Sequence, residues 1–270
     1  MPKKLRAGFP TYWTTFGQGP RAAMMIHCTL GHSGAWGGMA RKLSGALTMT
    51  AFDFPGHGRS GVWSDDHGDI QEVSARIAAE LLDGPADIIG HSFGGTIALR
   101  LAVERPDLVR SLTLIEPIFL AVLEADNPDM ARDHEALMEP TTTALVACDY
   151  ETAAREFIDV WGTGRAWADL SAEQRGYMIE RMYVVAAEEP SVHRDVGGML
   201  AQGVLARIKV PVLLIEGSAS PEVIGVINQG LARRMPQAER AVIAGAGHMV
   251  PITHADQVAT EVLRLLARIA

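Results

Sequence analysis

One pattern in the chain leaves few folds open, because it places a serine between two glycines at the junction of a strand and a helix. Residues 90–94 read Gly-His-Ser-Phe-Gly, after the strand-like residues 87–89 and before the helix-like residues 96–103. A turn this sharp strains the backbone of the central serine and crowds the positions two residues away, so glycine is favoured there. The context is typical of a nucleophile elbow, which lifts the Ser92 hydroxyl clear of a sheet.

The apolar pattern on both sides of this turn predicts an α/β protein. Six short apolar runs have the length of buried strands: residues 23–27, 48–52, 87–90, 112–116, 210–216 and 240–243. Helix-like stretches separate them, and a closing amphipathic helix is predicted over residues 258–269. Such alternation favours a mostly parallel central sheet flanked by helices.

Residues 118–206 interrupt this alternation, since they are rich in helix formers and contain no convincing strand. Proline at 128, 140 and 190, together with glycine at 162, 164, 197 and 198, is expected to divide the segment into four or five helices. We therefore predict a core of residues 1–117 and 207–270, and a helical cap of residues 118–206. An insertion at this point lies over the carboxyl ends of the strands, where open α/β sheets bind ligands.

Composition and charge indicate which class of molecule the protein binds. The 270 residues are 48% hydrophobic and carry a formal charge of -8, with the 24 Lys and Arg dispersed along the chain. Nucleic acid binding needs a concentrated basic surface, so we expect a small-molecule substrate instead. No signal peptide and no run of about 18 apolar residues is found, which predicts a cytoplasmic protein without membrane contact. A homodimer is left open.

No pattern for a metal or cofactor is found. The His, Cys, Asp and Glu residues lack zinc-site spacing, and both the phosphate-loop and dinucleotide patterns are missing. Two cysteines cannot form a multi-bridge disulfide framework, so they are expected to be reduced thiols. The sequence predicts chemistry carried by side chains alone.

A serine hydroxyl is a weak nucleophile at neutral pH and needs a base within hydrogen-bond reach. His248 follows the last predicted strand and precedes the final helix, within Gly247-His248-Met249. A loop at that position returns to the carboxyl edge of the sheet, close to the elbow. We predict that His248 is the base for Ser92.

Acyl transfer also needs two preorganised N–H donors for the tetrahedral oxyanion. The elbow geometry nominates the amide of Phe93. The loop after the first predicted parallel strand, His27-Cys28-Thr29-Leu30, should lie beside the elbow and supply the second donor. We nominate Thr29, with Cys28 and Leu30 as alternatives.

Taken together, these segments resemble α/β-hydrolase fold enzymes of the cap-bearing group of esterases, lactonases and carbon-carbon hydrolases. The resemblance covers nearly the whole chain and rests on the His27 loop, residues 53–60 (DFPGHGRS), the elbow, residues 114–117 (LIEP), residues 211–217 (PVLLIEG) and Gly247-His248. It implies hydrolysis without a cofactor. The chain departs from the family pattern at Cys28, where glycine is usual, and at Ser220.

The departure at Ser220 concerns the acid that orients the base. The family usually has an Asp a few residues after the penultimate strand, where this chain has serine. Some members place the acid at the end of the strand after the elbow, and Glu116 occupies that position. Glu116 is the leading candidate, while Glu222, Glu216 and a dyad without any carboxylate stay open.

These expectations converge on hydrolysis of a small carboxylic ester or lactone through an acyl-enzyme on Ser92. We expect His91, Trp161 and Tyr183 to contact the substrate. Hydrolytic carbon-carbon cleavage of a diketone is the enzymatic alternative, and a ligand-binding protein with an impaired triad is the non-enzymatic one. Haloalkane dehalogenation and the usual epoxide hydrolysis need an aspartate nucleophile in this fold, which Ser92 disfavours.

Overall fold

The computed structural model describes residues 4–269, which build an eight-stranded sheet with helices on both faces. The strands are β1 (Lys4–Arg6), β2 (Phe9–Phe16), β3 (Arg21–Ile26), β4 (Leu47–Asp53), β5 (Ala86–His91), β6 (Val109–Ile115), β7 (Val212–Gly217) and β8 (Ala238–Ile243). Their order in the sheet is β1-β2-β4-β3-β5-β6-β7-β8. Strands β3 to β8 pair in parallel, whereas β2 is antiparallel to β1 and β4. The predicted mostly parallel sheet is confirmed.

The helices are α1 (Gly37–Leu43), α2 (Ile70–Glu80), α3 (Phe93–Glu104), α4 (Leu120–Asp126), α5 (Pro128–Val146), α6 (Tyr150–Trp161), α7 (Ala172–Ile179), α8 (Met182–His193), α9 (Glu222–Arg234), α10 (Val250–Thr253) and α11 (Ala255–Arg268). Helices α2, α3, α4 and α9 contribute to the core on one face of the sheet. Helices α1, α10 and α11 contribute to the core on the other.

The buried strands have continuous apolar runs because both faces of the sheet are covered. All six residues of β5 are buried, and its neighbouring isoleucines point to opposite faces. Ile88 belongs to the core that includes α3, while Ile89 belongs to the core that includes α1 and α11. The two cores hold the carboxyl ends of the parallel strands at one edge of the sheet.

The N-terminal hairpin of β1 and β2 was not expected from the sequence. β1 is mostly exposed at the edge of the sheet, and only Phe9 and Thr11 of β2 are buried. Such strands lack the continuous apolar run by which the central strands are recognised. The hairpin extends the sheet through the antiparallel pairing of β2 with β4.

Between β6 and β7 the chain contains helices α4 to α8, and the predicted helical insertion is confirmed for α5 to α8. Pro128 begins α5 and Gly162 directly follows α6, as expected. The expectation that Pro140 and Pro190 separate helices is wrong, since they lie inside α5 and α8. An internal proline removes one intrahelical hydrogen bond, which can kink a helix without ending it. The boundaries of the cap at residues 118 and 206 stay a prediction.

Within residues 4–269, no helix combines the length and the apolar character needed to cross a bilayer.

Candidate active site

Ser92 lies in the tight turn between β5 and α3 with φ 56° and ψ -122°, a conformation that L residues rarely adopt. A Cβ on Gly90 would lie 2.2 Å from the Gly94 carbonyl oxygen, and one on Gly94 would lie 2.2 Å from the carbonyl oxygen of His27. Neither position has room for a side chain. The two glycines that identified the turn in the sequence are therefore required by its packing.

The ring of His248 bridges the serine and a carboxylate. His248 Nε2 lies 3.0 Å from Ser92 Oγ, and Nδ1 lies 3.0 Å from Glu116 Oε2. A carboxylate accepts a hydrogen bond from Nδ1–H, and in that neutral tautomer Nε2 is unprotonated and faces the serine hydroxyl. The loop between β8 and α10 carries His248 to the carboxyl edge of the sheet.

Glu116 directly follows β6 and is fully buried, with a positive φ of 51°. Its Oε1 accepts hydrogen bonds from the Gly217 amide at 2.5 Å and from the Ser220 hydroxyl at 2.7 Å. A buried carboxylate is tolerated when donors satisfy both of its oxygens. The serine at the usual acid position thus supports the glutamate that faces the histidine.

The other two candidate acids lie elsewhere. Glu216 accepts hydrogen bonds from Asn228 and Arg240, each at 2.7 Å. Glu222 begins α9 and is exposed. Of the three carboxylates, the structure brings Glu116 to the His248 ring.

The two predicted oxyanion donors lie in different elements. Phe93 is the first residue of α3, where an amide has no intrahelical acceptor. In the loop after β3, the Leu30 amide donates to His57 Nε2 at 3.0 Å and is therefore engaged. The Thr29 hydroxyl donates to Glu188 Oε2 of α8 at 2.6 Å. Thr29 remains the predicted source of the second donor.

His91 supports the His248 loop. Its Nε2–H donates to the backbone oxygen of His248 at 2.9 Å, and the two rings are 5.3 Å apart. Burial lowers the pKa of His91 to about 3, so the ring is neutral at physiological pH. The described hydrogen bond of His91 is made to the loop that carries His248, and the predicted substrate contact stays a prediction.

The two aromatic residues predicted in the cap have different surroundings. Trp161 stands edge-on to His248, with ring centroids 4.7 Å apart, and is nearly buried. The Tyr183 hydroxyl instead accepts a hydrogen bond from the Trp63 amide at 3.2 Å. The structure brings Trp161 to the candidate site and places the Tyr183 hydroxyl against the chain that follows β4.

Two further histidines hold the backbone around the site. His27 Nδ1–H donates to the Cys28 carbonyl oxygen and His27 Nε2 accepts from the Phe54 amide, at 2.8 and 3.2 Å. His57 Nδ1–H donates to the Pro55 carbonyl oxygen at 3.0 Å. Burial lowers the pKa of each ring to about 3. Both rings are neutral and already bonded at both nitrogens.

Sequence reasoning missed Glu188 and the supporting role of Ser220. Glu188 is buried while its neighbour Glu189 is exposed, and both occur in the same short polar stretch of α8. No local signal separates the two glutamates. Within residues 4–269, no group of three or more His, Cys, Asp or Glu side chains is arranged to hold a metal ion.

Comparison with known proteins identifies the family of this chain. Residues 23–261 match the alpha/beta hydrolase family, and the chain belongs to that family. It is 30% identical over 265 residues to the pimeloyl-[acyl-carrier protein] methyl ester esterase of Xanthomonas campestris pv. campestris (strain B100), a match that covers 93% of this chain and 96% of that protein.

Two further proteins are similar to this chain, one over part of its sequence and one in its fold. Lipase LipV of Mycobacterium tuberculosis (strain ATCC 25618 / H37Rv) is 35% identical over 156 residues, which cover 56% of this chain and 53% of the lipase. A thermophilic esterase from Thermogutta terrifontis superposes with a TM-score of 0.71 at 19% identity, covering 97% of this chain and 94% of that one. The second similarity shows a shared fold.

Proposed function

We propose that this protein is a serine hydrolase that cleaves a small carboxylic ester or lactone through an acyl-enzyme on Ser92. One observation carries the proposal: His248 lies 3.0 Å from both Ser92 Oγ and Glu116 Oε2. A nucleophile, a base and an acid that orients the base form the triad that serine hydrolases use for acyl transfer.

In the proposed acylation step, His248 Nε2 removes the proton from Ser92 as Oγ attacks the carbonyl carbon of the ester. Glu116 holds the ring in the required tautomer and stabilises the imidazolium that forms. The amides of Phe93 and Thr29 bind the oxyanion of the tetrahedral intermediate. His248 then donates its proton to the departing alkoxide, which leaves as the alcohol.

In the proposed deacylation step, water replaces the alcohol next to His248. The imidazole removes a proton from that water as it attacks the acyl carbon, and a second oxyanion forms at the same amides. Collapse of this intermediate breaks the bond to Ser92 Oγ, which recovers the proton from His248. The products are the carboxylic acid and the free enzyme.

The ester class is supported by the relatives as well as by the site. The Xanthomonas relative is named for a methyl ester and matches nearly the whole chain. The site contributes an apolar side chain next to the base, since Trp161 lies against His248. An acyl or alkoxy group of modest size is the substrate part that such a surface favours.

The non-enzymatic alternative rested on an impaired triad. Ser220 stands where the family usually has its acid, but its hydroxyl donates to Glu116 at 2.7 Å. A carboxylate therefore faces His248 in spite of the serine. This arrangement removes the reason for expecting a protein that only binds ligands.

The first experiment is labelling by a fluorophosphonate, which reacts with activated serines. We expect the wild type to be labelled at Ser92 and to hydrolyse a short aryl ester, while Ser92→Ala abolishes labelling and lowers kcat by about 10⁶, as for other serine hydrolases. Ser44→Ala is the matched control, because this serine directly follows α1 and its hydroxyl donates to the Arg41 carbonyl oxygen. A wild type without labelling would contradict the proposal. Turnover of a diketone but of no ester would favour carbon-carbon cleavage.

A further inference from the structure

The loop of residues 28–31 carries the proposed donor Thr29. Two helices of the cap form hydrogen bonds with this loop. We call this segment the oxyanion loop. Helices α7 and α8 reach it through two polar side chains, Tyr177 and Glu188. Among the described residues, neither side chain is hydrogen-bonded to Ser92 or His248. Glu188 instead binds the Thr29 hydroxyl, and Tyr177 binds the Gly31 carbonyl oxygen two residues later.

The first contact joins Glu188 to Thr29. Glu188 is 4% exposed. Its Oε2 accepts a hydrogen bond from the Thr29 hydroxyl at 2.6 Å, and its Oε1 has no hydrogen-bond partner among the described residues. Burial raises the pKa of Glu188 to about 8, against a smaller opposing effect of the Thr29 hydrogen bond. A neutral carboxyl group can accept this hydrogen bond without placing a negative charge beside a developing oxyanion.

The second contact joins Tyr177 to two loops of the core. Its hydroxyl donates to the carbonyl oxygen of Gly31 at 2.7 Å and accepts from the amide of Gly58 at 3.0 Å. Gly31 ends the oxyanion loop, while Gly58 lies in the loop that follows β4. The phenol therefore ties the end of the oxyanion loop to a second part of the core.

Between these two contacts lies a strained residue. Leu30 has φ 57°, which is uncommon for a branched side chain and persists only where the surroundings hold it. The core supplies one hydrogen bond, from the Leu30 amide to His57. The Leu30 side chain packs with side chains of the cap: Ala144, Ala153, Ala154 and Met182. Much of what holds this conformation comes from the cap.

We propose that Tyr177 and Glu188 are positioning residues, which hold the oxyanion loop so that the Thr29 amide faces the oxyanion. The inference rests on the proposed function, in which Thr29 supplies the second donor. Ser92 and His248 are each 4% exposed, and Trp161 of α6 lies against the His248 ring. The oxyanion hole is then complete when Tyr177 and Glu188 contact the oxyanion loop.

The test separates kcat from KM for a short aryl ester. Removal of an oxyanion donor lowers kcat by about 10²–10³, and a displaced donor retains part of that effect. We therefore expect Glu188→Ala to lower kcat by about 10- to 100-fold and Tyr177→Phe by about tenfold, with KM within about threefold of wild type. Glu188→Gln keeps an oxygen acceptor for Thr29 and should retain kcat within about threefold.

The matched control is Glu189→Ala. Glu189 neighbours Glu188 on α8, is exposed and pairs with Arg194. Its removal should leave kcat unchanged. Thr29→Val deletes the other end of the same hydrogen bond and keeps the backbone amide. The double variant Thr29→Val with Glu188→Ala should be no slower than the slower single variant, because both remove one interaction.

Three results would overturn the inference. These are a folded Glu188→Ala enzyme with kcat within twofold of wild type, a rise in KM with kcat unchanged, and a Glu188→Gln enzyme as slow as Glu188→Ala. In each case, continued labelling of Ser92 by the fluorophosphonate would leave the proposed function standing. A wild type that is neither labelled nor active on the ester would remove both.

Discussion

The core and the cap contribute to the candidate site in different ways. Ser92 and Glu116 stand at the ends of neighbouring parallel strands, so the register of the sheet fixes their separation. Tyr177 of α7 and Glu188 of α8 each reach the oxyanion loop through one hydrogen bond. The chemistry is therefore built into the rigid sheet, whereas the cap adjusts one loop. Variants in the two regions should differ in size of effect and in dependence on pH.

The largest effect after loss of the nucleophile is expected in the core at Glu116. Glu116→Gln keeps the shape of the side chain but removes the carboxylate that selects the tautomer of His248. We expect kcat for an aryl ester to fall by about 10⁴, the loss known for the equivalent Asp-to-Asn change in a serine protease. Steady-state kinetics above pH 7 measures this loss.

Glu216→Gln is the matched control for that variant. Glu216 is also a buried carboxylate at the same edge of the sheet, but it pairs with Asn228 and Arg240. The Glu216→Gln substitution should change the free energy of unfolding and leave kcat nearly unaffected. Equal kcat in Glu116→Gln and the wild type would exclude Glu116 as the orienting acid.

The second prediction separates the two regions by pH. In the core, burial lowers the pKa of His27, His57 and His91 to about 3, below the ordinary 6.5. Between pH 6.5 and about 3, the unfolded chain therefore binds more protons than the folded chain. The free energy of unfolding falls as the pH drops below about 6.5. In the cap, burial raises the pKa of Glu188 from 4.5 to about 8. Here the native state binds the extra proton, and stability falls as pH rises from about 4.5 to 8.

Urea unfolding of the wild type and Glu188→Gln between pH 5 and 8 measures both effects. Because one pKa unit corresponds to about 1.4 kcal/mol, we expect the variant to gain about 2–3 kcal/mol relative to wild type between pH 6 and 8. Below about pH 6.5 both proteins lose stability through the same histidines, while the difference between them keeps changing down to about pH 4.5, where Glu188 is protonated in the folded and unfolded states. A difference that does not vary with pH would contradict the protonated state of Glu188.

The smallest effect is expected at Ser220, which supports the acid from the neighbouring strand end. Ser220→Ala removes one of the two hydrogen bonds to Glu116 Oε1, while the Gly217 amide keeps the other. A hydrogen bond to a charged group contributes about 1.5–3 kcal/mol, and only part of this affects the barrier, so kcat should fall by about three- to tenfold.

Ser220→Thr retains the hydroxyl and serves as the conservative control, with kcat expected within about twofold of wild type. Steady-state measurement of kcat with one aryl ester is sufficient for this comparison. A Ser220→Ala enzyme as slow as Glu116→Gln would mean that the serine is more than a support for the glutamate.

The parts of the site that the sequence predicted are those with a local signal. The elbow motif identifies Ser92 within residues 90–94, where a serine lies between two glycines. Close backbone contacts require both glycines. His248 follows from its place between the last strand and the last helix. Glu116 could be named only as one of three acids, because the choice depends on which strand end faces the His248 ring, 132 residues away in sequence.

The parts that were missed depend on contacts distant in sequence. Glu188 meets Thr29 across 159 residues, and its burial differs from that of Glu189 for reasons that α8 alone does not reveal. The Tyr183 hydroxyl accepts a hydrogen bond from the Trp63 amide, 120 residues away in sequence, and its predicted substrate contact stays a prediction. The edge strand β1 was missed because it is exposed and lacks an apolar run. The end of a helix predicted at Pro140 was wrong because this proline lies inside α5.

The hydrogen bond between Ser220 and Glu116 also constrains how such a chain can change over generations. The serine oxygen lies 2.7 Å from the carboxylate, so a carboxylate at position 220 would meet Glu116 at close range. Two buried carboxylates at that distance cannot both be ionised, and one must hold a proton or turn away. A hydroxyl at position 220 avoids that repulsion, because it donates a hydrogen bond to Glu116.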